Sequence, residues 1–251
     1  MSELFDLNRF LLLVRNEIVS NYRNWLLTSG AITFIVFISA TLFERGNPDF
    51  YFNWYFILIF VVGIVMSSHA FLELHDKTRN ESYLLIPASS LEKTLAKLFI
   101  VTIGFIAYLL VFHTLSSIII EALLWLLVGR DIYIFSAFSK QVWFVIPLYL
   151  FVQSFFFLGA AWFKKMQLAK TTVSLSIVIF GIFLLGVLFT SILFSAFFND
   201  AVDLGDAFDL LFNLSGHPFL WIVKIMAVVI PPVCWIIAWK RVEEAQVSDG
   251  I

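Results

Sequence analysis

The chain alternates long apolar runs with short polar breaks. Charge-free runs occupy residues 24–43, 50–72, 98–120, 141–163 and 171–199, and a sixth, 219–239, is interrupted only by Lys224. Each reaches the roughly 20 residues that a helix needs to cross a hydrocarbon core of about 30 Å. None alternates strictly between apolar and polar positions, so the pattern predicts helices rather than the strands of a barrel. The third run is predicted to continue to about residue 128 and to carry Glu121 with it. No internal repeat or low-complexity segment interrupts this order.

The residues before the first run follow a different rule. Leu4, Leu7, Leu11, Val14, Ile18, Tyr22 and Trp25 recur at three- and four-residue steps, while Asp6, Arg9, Asn16, Ser20 and Arg23 fall mostly off that stripe. This is the pattern of an amphipathic helix. Two readings stand: a helix lying in the membrane interface, or a helix packed on the protein's own cytoplasmic loops. The predicted fold is an all-α membrane protein of six transmembrane helices preceded by an N-terminal amphipathic interfacial helix. Its divisions are residues 1–24, the membrane domain 25–240 and a cytoplasmic tail 241–251.

Composition agrees. Of 251 residues, 61% are hydrophobic and 14% charged, and the mean hydropathy is +0.95. A soluble domain carries about a quarter charged residues. The net charge of −2 gives no reason to expect a nucleic-acid partner. The single cysteine, Cys234, excludes a disulfide within the chain. Glu3, Asp6, Arg15 and Glu17 interrupt the start, so a secretory signal peptide is not expected. Twelve Lys and Arg residues fall on the side of both termini and four on the other. That bias predicts that both termini are cytoplasmic.

The longest polar interruption is the loop 75–97, predicted to be cytoplasmic. Ser89 and Glu92 form an S-x-x-E capping box just after Pro87, so a helix is predicted to begin near Ser90, to show Lys93 and Lys97 on one side and to enter the third span. Before it, residues 75–81 are densely charged and Tyr83, Leu84, Leu85 and Ile86 are apolar. Two readings stand again: a docking surface for another protein, or a solvated loop folded back on the bilayer.

The stretch ESYLLIPASSLEKTLAKL resembles the cytoplasmic loop of type-2 ABC transporter permeases, particularly small bacterial ones with a YLLLPAS-x-LEK signature. The resemblance extends over nearly the whole chain, including an outer segment, here 198–217, that in the family re-enters the membrane. It implies a coupling helix seated in a separate cytoplasmic ATPase subunit, with Glu81, Tyr83, Leu84, Pro87, Ser89, Ser90, Leu91, Glu92 and Lys93 as the candidate contacts. It also implies a bacterial inner membrane, and a second permease copy or a related permease, joined through the first and fifth spans.

The chain's own chemistry points the same way. None of its 11 glycines precedes a lysine, so it has no P-loop. No cofactor is therefore expected in this chain, and ATP and Mg are expected in the partner. It is not expected to be an enzyme. His69 and Glu73 are spaced like a metal pair but lack further ligands, so no metal site is expected. His113 and Ser116 show the minimum spacing of a base and a nucleophile without the surrounding context. Glu121 and Lys224 are the ionisable groups nearest the membrane interior; they either line a path and pair, or reach out to the interface.

In span five, Gly186 and Thr190, and Ser191 and Ser195, are small-xxx-small pairs. They suit a dimer contact or packing within one subunit. Pro231 and Pro232 are expected to bend span six. The reading is a permease subunit moving an amphipathic or hydrophobic substrate, with membrane lipid around it. The alternatives are a motor-independent secondary transporter or channel, and a membrane scaffold.

Overall fold

A computed structural model describes residues 5–43, 49–75, 87–129, 132–197 and 217–249. Within them the helices are α1 (Leu7–Phe43), α2 (Phe50–Ser68), the short α3 (Leu72–His75), α4 (Ser90–Phe99), α5 (Phe105–Val128), α6 (Lys140–Trp162), α7 (Gln167–Phe197) and α8 (His217–Asp249). A π-turn, Ile100–Gly104, joins α4 to α5. Six stretches are long and apolar enough to span a bilayer, and they correspond one for one to the six runs read from the sequence. The chain is a multi-pass integral membrane protein, all-helical among the described residues.

There is no break between an N-terminal helix and the first span. α1 is one helix of 37 residues. Much of its apolar stripe points away from the rest of the chain: Leu7, Leu11, Ile18 and Tyr22 are exposed, whereas Val14 is buried. The side facing the protein is built by Phe10, Leu13, Val14 and Trp25, packed on Ala96 and Ile100. α1 therefore lies along α4 and α5, parallel to them. Contacts advance together along both, from Asp6 with Glu92 to Ser29 with Tyr108 and Thr33 with Ser116.

α4, the π-turn and α5 form one rod of 39 residues, 90–128. In a π-turn the hydrogen bonds reach one residue further than in an α-helix. Here the Phe105 N–H reaches Ile100 O. The carbonyl of Val101 accepts instead from the Tyr149 hydroxyl at 2.6 Å, which fastens α6 to the rod. The rod ends at Gly129, whose positive φ of 68° lets its N–H turn back to Trp125 O at 2.9 Å.

In lipid, helices gain little from hiding apolar surface and associate through close packing instead. α2 and α6 meet where Gly63 faces the Tyr149 ring, and Phe71 packs on Phe157 with ring centroids 5.0 Å apart. α6 and α8 close on alanines: Ala160, Ala161 and Ala238 share one buried cluster with Val242. α8 continues as helix through Pro231 and Pro232. α7 differs from the rest: none of its most apolar window is buried.

Gly159 lies where the start of α7 crosses α6. A methyl group there meets the Thr171 side chain, itself buried and donating to Gln167 O at 2.8 Å. Gly159→Ala is expected to lower stability by about 1–3 kcal/mol through overpacking. Gly181→Ala, which meets nothing within 4 Å, is expected to be neutral or slightly stabilising. Unfolding in detergent measures both; equal midpoints for the two variants would contradict this packing.

Candidate functional site

Polar side chains gather at the end of the bundle that holds both the start of α1 and the end of α8. The first four N–H groups of any helix lack partners within it. At the start of α4 the Ser89 hydroxyl accepts from Glu92 N at 3.2 Å, and Glu92 Oε2 accepts from Ser89 N at 2.8 Å. This is the reciprocal capping box that the S-x-x-E spacing predicts.

The other oxygen of Glu92 leaves the helix. Oε1 accepts from Asp6 N at 2.6 Å and lies 3.3 Å from Arg9 Nη2. Asp6 Oδ1 in turn accepts from Asn8 N at 2.8 Å and caps α1. One buried carboxylate thus serves the amino ends of α1 and α4, where helix dipoles favour negative charge. Glu92 is 0% exposed, so these donors stand in for the water it has lost.

A second node lies one turn further on. Lys97 Nζ donates to Glu17 Oε2 of α1 at 2.7 Å and to Glu73 Oε2 of α3 at 3.2 Å. The Trp239 indole of α8 donates to Ser90 Oγ at 3.4 Å. Arg241 lies over the Trp162 ring at 5.0 Å, and Lys240 over Trp239 at 4.4 Å. α1, α3, α4 and α8 are therefore tied together at one level.

The opposite end is polar in another way. Glu121 is buried, accepting from the Tyr51 hydroxyl at 2.6 Å and from Tyr133 N at 3.3 Å. His113 Nε2 lies 2.9 Å from Tyr51 O. After α5 the chain folds back: Phe135 N donates to Ser117 Oγ at 3.3 Å, and the Phe135 ring stands edge-on to His113 at 4.7 Å. Tyr51, Tyr55, His113 and Phe135 fill this end of the bundle.

Several sequence expectations change here. Of the proposed coupling residues, Pro87 is exposed and Ser89, Ser90 and Leu91 are half-buried, but Glu92 and Lys93 are buried inside the chain. Glu81, Tyr83 and Leu84 lie outside the described residues, as does the outer segment 198–216. Glu121 is buried and held by bonds from Tyr51 and Tyr133. Lys224 is exposed on α8.

His113 and Ser116 do not act on each other. Ser116 pairs with Thr33 at 3.1 Å, and His113 lies against the Tyr51 carbonyl. A turn at residues 69–71 separates His69 from Glu73, and Glu73 is engaged by Lys97. No group of three metal-ligating side chains occurs among the described residues. A methyl group built on Gly186 would clash with no neighbouring side chain, and Ser191 donates to Val187 O at 2.8 Å. The side chains of Thr190 and Ser195 lie outside the described residues.

The pattern reading missed the Arg9, Glu17 and Glu73 partners, because charges 24 to 83 residues away carry no spacing signal. It also passed over Gln153 of α6 and Ser68 of α2, both fully buried. Their polar side-chain atoms find no hydrogen-bond partner among the described residues. No family model, curated protein or solved structure matches the chain.

Glu92→Ala removes the α4 cap and the anchor of α1 together. It is expected to cost about 2–4 kcal/mol, from the lost cap and the charge-assisted hydrogen bonds that Glu92 accepts. Amide exchange at residues 6–14 is expected to accelerate along with that at 90–93. Faster exchange at α4 alone would show that α1 is held by something else.

Proposed function

We propose that this chain is the permease subunit of an ATP-binding-cassette transporter, driven by a separate ATPase. What carries the reading is the rod from Ser90 to Val128: a capped helix heads it, and the same helix, widened by a π-turn, becomes the third span. A push on the helix that begins at Ser90 is carried into the span along one continuous helical rod. The Glu92 and Lys97 nodes pass it to α1 and α3 in a rigid-body motion.

Glu92 ties the head of the rod to α1 from inside, and Pro87 is exposed beside it. The resemblance offers Glu81, Tyr83 and Leu84, ahead of Pro87, as the residues that meet the motor. ATP and Mg belong to that motor, since this sequence has no P-loop. The Lys and Arg bias supports cytoplasmic termini, and the resemblance a bacterial inner membrane. α7 supports pairing with a second permease: its apolar window is unburied among the described residues. An amphipathic or hydrophobic cargo, moved outward, fits walls so poor in charge.

The test is recovery of the tagged chain from its native membrane in mild detergent. A P-loop ATPase is expected to co-purify, and to be lost when Tyr83 and Leu84 are both changed to Ala while membrane insertion is unchanged. Ion-driven flux by the purified chain alone, with no nucleotide-hydrolysing partner, would replace this reading by that of a secondary transporter or channel.

A further inference from the structure

The turn between α6 and α7 is only four residues long, 163–166, and both helices that it joins are spans. Four extended residues reach about 14 Å. Once they have bridged helix axes about 8–10 Å apart, an excursion of about 5 Å remains. The headgroup layer on each side of a bilayer is about 5–7 Å deep. The turn therefore stays within that layer.

Lys164 and Lys165 stand on this turn and Lys170 follows in the first turn of α7; all three are exposed. The Lys170 ammonium lies 5.8 Å from the centre of the Phe163 ring, so it is brought back beside the turn. Among the described residues no carboxylate pairs with any of the three. α8 brings two more cations to this end, but each has its own acid: Lys240 lies 2.9 Å from Glu243 and Arg241 3.0 Å from Glu244. The turn is also fixed in shape. Phe163 N donates to Gly159 O and Lys170 N to Met166 O, each at 2.9 Å, and the buried Gln167 side chain donates to Ala160 O at 3.4 Å. Three uncompensated positive charges are thus held at the depth of the lipid phosphates.

We propose that this turn binds the headgroup of an anionic phospholipid. Ammonium groups take phosphate as point charges, and clustered lysines beside a span attract anionic lipid. A zwitterionic phospholipid also carries a phosphate, but three lysines repel the cation of its headgroup. The neighbours of the lysines suit lipid rather than a protein surface. Trp162 is 54% exposed at the end of α6 and Met166 74% exposed on the turn. An amphipathic ring at this depth belongs to the membrane interface.

The protein is reconstituted in nanodiscs of equal parts phosphatidylglycerol and phosphatidylethanolamine, extracted in mild detergent and weighed intact by native mass spectrometry. The wild type is expected to retain phosphatidylglycerol in preference. Lys164→Gln with Lys165→Gln is expected to lower that preference about twentyfold, and Lys164→Arg with Lys165→Arg to keep it. Arg15→Gln with Arg23→Gln removes two exposed cations of α1 and is expected to leave it unchanged. If the double Gln variant does not insert, Lys164→Gln and Lys165→Gln are measured singly, each with a loss of about fivefold. No preference in the wild type would overturn the proposal, as would equal losses in the turn and α1 variants. An undiminished preference without the lysines would also overturn it, and loss of a co-purifying protein in that variant would assign the turn to a protein partner instead.

Discussion

A helix that enters lipid brings four unpaired N–H groups at its start, and no water in the bilayer core can satisfy them. In this protein the start of α4 is capped reciprocally: Glu92 accepts from Ser89 N, and the Ser89 hydroxyl accepts from Glu92 N. The same carboxylate answers the amino end of α1, 86 residues earlier in the chain. Everything at the termini-bearing end follows from that shared use. α1 must run parallel to the rod, Arg9 must approach a buried charge, and Lys97 falls level with Glu17 and Glu73. Breaking one buried partner leaves an uncompensated charge, so the cluster persists or fails as a whole.

The two ends of the bundle solve their polar problems differently. At the end with the termini, ion pairs cross between elements distant in sequence. At the other, a carboxylate accepts from a tyrosine hydroxyl, and a returning strand of chain lays Phe135 over His113. Between them the helices close through small residues and aromatic faces, with Tyr149 joining α6 to the π-turn. Such an arrangement leaves ion pairs at one end and packed aromatic side chains at the other. Beyond its crossing with α6 at Gly159 and Thr171, the most apolar window of α7 is unburied among the described residues.

The spans were legible because membrane helices announce themselves by composition. A run of about 20 apolar residues leaves few other choices. The α4 start was legible because Ser89 and Glu92 are three apart and their geometry is local. What stayed hidden was non-local. Nothing in the spacing says that Glu92 also holds Asp6, or that the apolar stripe of α1 turns outward while Arg9 turns in. The π-turn carries no signal either, since IVTIG reads as ordinary helix until Tyr149 claims the Val101 carbonyl. Glu121 and Lys224 invited pairing by polarity alone, but the tyrosine that holds Glu121 lies 70 residues away.

The account rests on the amino-terminal arm of α1 and the head of the rod being one clamped body. Leu12 and Leu95 are both exposed, one on each element, and accept spin labels without disturbing the buried contacts between them. Pulsed electron–electron distance measurement on the doubly labelled protein in lipid tests the claim directly. A single narrow distance, broadened by Glu92→Ala, is the expected result. A broad or multiple distribution in the otherwise unaltered protein would contradict the clamp and the lever built on it.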